Sequence, residues 1–283
     1  MKKVAIITRT KNRGLFLKRA IQSVAKQSYK DYVHVIVNDG GNPDAISDIV
    51  DKLEDAVKSN IQVFHRKSPS NAPDTIFNEC IDKVGSEYVA IHDDDDTWHR
   101  DFLKIACEKL DAGAEGVLVR TDRVYENVTE EKLEKTKQVR YMPEVSVVSL
   151  YRQYIDNQLT PIAFVYRRSA YEAVGKYNDK LSVAGDWEFG IRFLKKYKVE
   201  FVDPGYALAF YHRRANVKDD SFSNHNHEVA IVEILNEYLR NDLEKGSLGD
   251  GYIMNKLYYE RKNRNMLIER AVPNVILKRF KKK

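Results

Sequence analysis

Four short apolar runs frame this 283-residue chain: VAIIT at 4–8, YVHVIV at 32–37, IQVFH at 61–65 and EYVAIH at 87–92. Each has the length and composition of a strand. Between them the apolar period changes. Leu17, Ala20, Ile21 and Val24 recur at helical spacing. So do Ile46, Ile49, Val50, Leu53 and Val57, after an Asn42 that can cap and a Pro43 that can open a helix. Pro73 begins a third such pattern through Ile76, Phe77, Cys80, Ile81 and Val84. A helix around Phe102 to Leu110 and a fifth strand in GVLVRTDRVYE (116–126) continue the series. The alternation predicts an α/β fold with a Rossmann-like, mostly parallel central sheet and helices on both faces. Such sheets bind ligands beyond the carboxyl ends of their strands. Three polar clusters sit at those ends: TRTKNR after the first strand, NDGG after the second and DDDD after the fourth. Residues 127–147 read as a polar loop. Residues 221–283 read as a helical extension beyond a main domain of 1–220.

Composition narrows the class. With 43% hydrophobic and 31% charged residues the chain resembles an ordinary soluble enzyme. Cys80 and Cys107 fall on apolar helical faces, as small core residues in a reducing compartment do. The N-terminal apolar run, Val4 to Ile7, is too short for a signal peptide, and no stretch approaches membrane-spanning length, so a cytoplasmic location is expected. Residues 261–283 hold nine Lys or Arg and one Glu, a net of +8 within a chain of +5, which leaves the body at −3. Apolar residues interleave with those cations, as in interfacial segments, and this predicts peripheral attachment to an anionic membrane surface. A terminal helix packed on the body fits the same residues. Nucleic-acid binding is not expected, because no basic, aromatic-interleaved patch occurs elsewhere.

The acidic run Asp93 to Asp96 calls for a counter-charge, since adjacent carboxylates raise one another's pKa. A calcium loop does not fit: counting from Asp93, position 6 is Trp98 instead of Gly and position 12 is Lys104 instead of Glu. Six segments, VAIITRTKNR, AIQSVAKQSYKDYVHVIVNDGG, EYVAIHDDDDTWHRDFL, PIAFVYRRSAYEAVGKY, GDWEFGIRFL and ALAFYHRR, occur in an order that resembles the inverting family-2 glycosyltransferases of the GT-A fold. The resemblance spans about residues 3–214 and implies transfer of a sugar from a UDP- or dTDP-sugar to a hydroxyl of a glycan or lipid-linked glycan, as in bacterial surface polysaccharide synthesis.

It also implies roles. Asp95 and Asp93 occupy the DxD places, with Asp95 the ligand of Mn²⁺ or Mg²⁺, Asp93 at the donor ribose or a metal-bound water, and Asp96 supporting them. His212 completes the metal or diphosphate site. Asp39 accepts a hydrogen bond from the imide N–H of the base, while Thr8, Arg9 and Thr10 lie near base and ribose. Arg9 and Lys11 replace the commoner Pro and Tyr, and their cations suit a diphosphate. Family members often carry Arg-Asn where this chain has Phe77 and Asn78; Arg66 or Lys67 then supplies the missing cation at the donor, with Asn78 beside it.

Trp187, Ile191, Leu194 and Tyr197 share a helical face in GDWEFGIRFLKKY, which puts Asp186 at the helix N-cap. By resemblance Asp186 is the catalytic base, and Glu188 is its substitute candidate. Trp187, Arg213 and Arg214 are assigned to acceptor or phosphate, with Arg167 and Arg168 as further phosphate candidates, and a loop near 213–224 to a lid. His225 and His227 are assigned no metal. Two other classes compete. A sugar-nucleotide nucleotidyltransferase would need a glycine-rich triphosphate loop after the first strand, which the chain lacks. A non-catalytic nucleotide-sugar-binding subunit would not need Asp186.

Overall fold

Strand β1 (Val4–Thr10) is the hub of the main sheet, and its first four residues are completely buried. It is the first element of a computed structural model that describes residues 2–129, 132–214 and 228–271, with helix side chains in the last stretch given for 231–264. Parallel partners flank it on both sides, β2 (Tyr32–Asp39) and β4 (Tyr88–Ile91). Between them come α1 (Gly14–Ala25), α2 (Pro43–Val50), the one-turn α3 (Asp55–Lys58), β3 (Ile61–Arg66) and α4 (Thr75–Lys83). Next follow β5 (Thr97–Trp98), α5 (Phe102–Asp111), β6 (Gly116–Val119), β7 (Thr121–Val128) and β8 (Leu133–Arg140). After α6 (Leu150–Ile155) come β9 (Phe164–Arg167), α7 (Arg168–Val174), α8 (Gly185–Lys196), β10 (Val199–Val202) and β11 (Ala209–Arg213). Helices α9 (Glu228–Glu244) and α10 (Asp250–Ala271) complete the described chain.

The seven-stranded sheet runs β10-β6-β9-β4-β1-β2-β3, and only β9 is antiparallel to its neighbours. The expected mostly parallel sheet is therefore present. A four-stranded sheet, β5-β11-β7-β8, stands apart from it. Contacts divide the chain into two compact units, residues 1–150 with 158–226 and residues 151–157 with 227–283. Within the second, Leu235 and Met254 are buried, Asn255 donates to the Leu235 and Gly251 carbonyls, and the Tyr154 hydroxyl donates to Asp250 at 2.7 Å. None of the helices among the described residues is long and apolar enough to cross a membrane.

Three sequence expectations need correction. The run 116–126 is two strands, broken at Arg120. There the backbone donates to Val202 and accepts from Leu208, both at 2.8 Å, and the guanidinium holds Asp203 and the Met142 and Val145 carbonyls. The chain thus leaves one sheet and joins the other. Within the expected loop 127–147 lies β8, paired antiparallel with β7; its side chains are mostly exposed, so the ladder holds it and no apolar alternation announces it. The buried face of α8 centres on Phe189 and Phe193, with Ile191, while Trp187, Leu194 and Tyr197 are only half-buried. Asn42 does cap α2, accepting from the Asp44 N–H at 3.0 Å, although that helix stops at Val50.

Helix α4 fixes the segment that leads into α8. The Asn78 Oδ1 accepts from the Tyr171 hydroxyl (2.8 Å) and the Tyr177 N–H (2.9 Å), and its Nδ2 donates to the Tyr177 carbonyl (2.9 Å). Tyr177 then stacks on Phe189 with ring centroids 4.4 Å apart. Asn78→Ala would strip both backbone groups of buried Tyr177 of their partners, a loss of about 2–4 kcal/mol. Urea unfolding is expected to show a lower midpoint with an unchanged m-value.

Candidate active site

The four carboxylates alternate in exposure. Asp94 and Asp96 are 2% and 1% exposed, while Asp93 and Asp95 are half-buried and face the opening beyond β4. The run lies just past β4 in a turn that the Asp96 N–H closes on the Asp93 carbonyl at 3.2 Å, and this turn sets which carboxylates face inward. Each acid has different partners. Asp94 accepts from Thr10 Oγ1 at 2.8 Å and pairs with Arg13 Nη1 at 2.8 Å; burial still pushes its carboxyl up to about 6. Asp96 accepts from the His212 N–H at 2.7 Å, and its buried Oδ2 has no hydrogen-bond partner among the described residues. Burial, with the charges of Asp95 and Asp93, lifts its pKa well above the usual carboxylate value.

Asp95 is different. Burial alone would raise it, but the guanidiniums of Arg13 (3.0 Å) and Arg214 (2.5 Å) hold its carboxyl well below the usual range. Arg19 donates to the Asp95 carbonyl and pairs with Glu126 at 2.5 Å. All three arginines pack around one ring, with guanidinium carbons 4.7, 5.7 and 4.8 Å from the centre of Phe16 for Arg13, Arg19 and Arg214. Glu126 closes the network, with its Oε2 2.8 Å from His212 Nδ1. The other ring nitrogen, Nε2, lies 2.9 Å from Thr97 Oγ1. Burial lowers the His212 pKa against the pull of Glu126.

Asp93 has no such partner. Burial and the charge on Asp95 push its carboxyl up to about 7, with Arg9 the main opposing charge and Asp74 and Asp94 adding to the rise. Arg9 carries a buried Nη1 that has no hydrogen-bond partner among the described residues. Asp74, just before α4, accepts the Asp186 N–H at 3.0 Å, and the Asp186 Oδ1 accepts from the Trp187 N–H at 2.8 Å. Arg9, Asp93, Asp74 and the first turn of α8 therefore surround one space. Asp186 is not the N-cap expected from sequence: α8 starts at Gly185, and the cap position is Ala184 with φ +58°.

Beyond β2, Asp39 Oδ1 accepts from the Ser70 N–H at 2.9 Å and lies 3.2 Å from Arg66 Nε. Oδ2 has no hydrogen bond among the described residues, so one acceptor remains. Gly40 makes the turn at φ +74°, and a Cβ there would come within 2.6 Å of the Pro69 ring.

Other expected site residues are engaged elsewhere. Thr8 is fully buried and bonded to His34 at 2.8 Å. Thr10 is held by Asp94 as described, and Asn78 by Tyr171 and Tyr177. Glu188 forms a bidentate pair with Arg192 at 2.6 and 2.8 Å. Arg213 donates to its neighbour Tyr211 (3.0 Å), and Trp187 is half-buried at the start of α8. Arg167 pairs across from Tyr88, at the end of β4 opposite the site, and Arg168 closes the C-terminus of α4 through the Ile81, Val84 and Ser86 carbonyls. Residues 215–227, with most of the expected lid and with His225 and His227, lie outside the described residues. Sequence reasoning missed Arg13, Arg19, Glu126 and Asp74. Arg13 stood in the TRTKNR cluster; the others carried no local signal.

No group of three or more His, Cys, Asp or Glu close enough to hold a metal occurs among the described residues. This donor set still fits one ion class. Mg²⁺ and similar hard cations are commonly bound by one or two carboxylates together with substrate phosphates, and Asp93 with Asp95 supplies that number at the open side. Asp93 has a further consequence. Between pH 4 and 7 the folded state holds its proton more tightly than the unfolded state, so ionised Asp93 lowers stability as pH rises through that window. In metal-free buffer, the melting temperature of Asp93→Asn relative to wild type is expected to rise from pH 5 to pH 8. A pH-independent difference would contradict the assignment.

A family model described as glycosyl transferase family 2 matches residues 5–175. The GalNAc(5)-diNAcBac-PP-undecaprenol beta-1,3-glucosyltransferase of Campylobacter jejuni is 29% identical over 113 residues, 40% of this chain and 36% of that enzyme. An uncharacterized glycosyltransferase of Rickettsia bellii is 26% identical over 46% of this chain and 18% of its own length. The chain thus matches about a third or less of these relatives' lengths. Among solved structures, S. aureus TarS 1-349 in complex with UDP-GlcNAc superposes with a TM-score of 0.60 at 20% identity, covering 83% of this chain and 67% of that one. The mannosyltransferase PcManGT from Pyrobaculum calidifontis, in complex with GDP-Man and Mn²⁺, gives 0.57 at 14% identity, covering 84% and 64%. These structures share the GT-A-like α/β fold, and because the family match covers more than half of the sequence, the chain belongs to glycosyl transferase family 2.

Proposed function

We propose that this glycosyltransferase moves a sugar, with inversion, from a UDP- or dTDP-sugar to a hydroxyl of a glycan or lipid-linked glycan, in a divalent-metal-dependent reaction. The observation that carries the reading is the convergence beyond β1, β2 and β4 of an open carboxylate oxygen on Asp39, an unpaired guanidinium nitrogen on Arg9, the open Asp93, and Asp186 in the first turn of α8. Asp39 Oδ2 accepts the imide N–H of uracil or thymine, while Oδ1 is held by the Ser70 N–H and Arg66. Arg9 faces the diphosphate. Asp93 and Asp95, with His212 next to them, are the residues that would hold Mn²⁺ or Mg²⁺, which supplies charge stabilisation to the diphosphate leaving group.

Asp186 takes the proton of the acceptor hydroxyl as it attacks the anomeric carbon from the face opposite the leaving group. Its place at a helix N-terminus favours the carboxylate form. Glu188 is the weaker candidate, because both of its oxygens are paired with Arg192. Trp187 and Arg213 border the acceptor side. The acceptor class draws support from the lipid-linked substrate in the Campylobacter enzyme's name, and the UDP donor from the TarS complex. The basic stretch 261–283, largely outside the described side chains, would hold the enzyme at an anionic membrane surface where such an acceptor resides.

The test is thermal stability with UDP, dTDP, GDP or CDP, each with Mn²⁺ or chelator. A nucleotide at a hundred times its Kd stabilises by about 2.7 kcal/mol. UDP or dTDP is expected to raise the melting temperature in the presence of metal, and Asp39→Ala to abolish the rise. Asp186→Asn should keep the rise and lose transfer by ~10²- to 10⁴-fold. A shift with GDP alone, or wild-type transfer by Asp186→Asn, would overturn the reading.

A further inference from the structure

A helix begins with four backbone N–H groups that its own hydrogen bonds leave unpaired, and a Ser, Thr, Asp or Asn at the cap position ordinarily takes one or two of them. Helix α8 has no such residue. Its cap position is Ala184, whose methyl group accepts nothing and whose backbone sits in the left-handed region at φ +58°. The missing acceptor comes from 112 residues earlier in sequence. Asp74 Oδ2 accepts the Asp186 N–H at 3.0 Å. Gly185 is what admits it: a Cβ there would lie 2.7 Å from Asp74 Oδ2 and 3.2 Å from Asp74 Cβ.

The borrowed cap ties the base to the donor side. Asp74 immediately precedes α4, which four residues later anchors Tyr171 and Tyr177 through Asn78. Both attachments bring the α8 N-terminus to the same helix. The Asp186 backbone is thereby fixed by Asp74, and its carboxylate is aimed by the adjacent Trp187 N–H at 2.8 Å. Arg9 and Asp93 act electrostatically on Asp74 from the side where the diphosphate is read.

We infer that Asp74 is the positioning residue of the transfer reaction: it replaces the absent N-cap of α8 and so sets the depth and direction at which Asp186 enters the site. This inference rests on the reading of Asp186 as the base. Misplacing a reacting group by about 1 Å costs on the order of 10²-fold in rate without altering binding of the remote nucleotide.

The experiment uses the full chain and measures UDP release from the UDP-sugar of a panel that reacts fastest, with kcat referred to the nucleotide-binding fraction. Asp74→Ala removes the acceptor and is expected to lower kcat about 10²-fold. The donor KM and the UDP-induced melting shift should stay within about twofold of wild type. Asp74→Asn keeps an oxygen for the Asp186 N–H and should retain kcat within a few-fold. Gly185→Ala, which pushes the carboxylate away with Asp74 intact, should reproduce the kcat loss and decides the matter if Asp74→Ala does not fold. Unchanged kcat in Asp74→Ala beside an inactive Asp186→Asn would overturn the inference, as would an Asp74→Asn as impaired as Asp74→Ala, which would put the charge of Asp74 in the chemistry. Wild-type activity of Asp186→Asn would instead remove the base assignment.

Discussion

The pairing of Asp95 with Arg13 and Arg214 is the interaction on which the site depends. Four consecutive carboxylates at a strand end repel one another, and burying even one ionised carboxylate without a partner is prohibitive. The chain meets this with guanidiniums from two places, α1 with the turn before it and the end of β11, gathered around the face of Phe16. Arg19 brings Glu126 into the same network, and Glu126 orients His212. The main sheet and the four-stranded sheet are joined by this charge cluster as well as by packing. Removing one member strands the others in low dielectric, which makes the cluster an all-or-none device.

Within that cluster the turn after β4 sorts the acids. Asp94 and Asp96 turn inward and become framework, one bonded to Thr10 and Arg13, the other to the His212 N–H. Asp93 and Asp95 turn outward. The outward pair is thus set by a turn just beyond the buried strand, closed by the Asp96 N–H on the Asp93 carbonyl. The outward pair is also asymmetric: Asp95 is held charged by arginines, while Asp93 lacks a hydrogen-bonded counter-ion and is held near neutrality.

Much of the fold was legible because the main-sheet strands are buried on both faces and read as continuous apolar runs. The helices between them kept their period, and Asn42 and Pro43 marked one start. The break at Arg120 was not legible, since an arginine in a strand run has no local meaning until its partners Asp203, Met142 and Val145 are in place. Nor was β8, whose exposed residues lack apolar alternation and are held by backbone pairing together with polar contacts from Thr136, Gln138 and Arg140 to β7. At the site, resemblance pointed to the right segments, but side-chain direction decided which residues face the opening. Thr8 and Arg9 are adjacent in β1 and point to opposite faces, one to His34 and the other toward Asp74 and Asp93. Asp74 was invisible because its role depends on a helix more than a hundred residues away.

The charges facing the pocket bear on the order in which ligands arrive. Asp93, Asp74 and Asp186 border a space in which Arg9 is the cation acting on both Asp93 and Asp74. A diphosphate brings about two further negative charges into it. Without an added cation, that entry opposes the existing carboxylates in a partly desolvated site, where Coulomb terms are several-fold larger than in water. A cation accompanying the diphosphate would reverse the sign of this term, and its charge would favour ionised Asp93 against the effect of burial. On the proposed metal-dependent reading, metal and nucleotide would then be mutually dependent ligands, each weak alone.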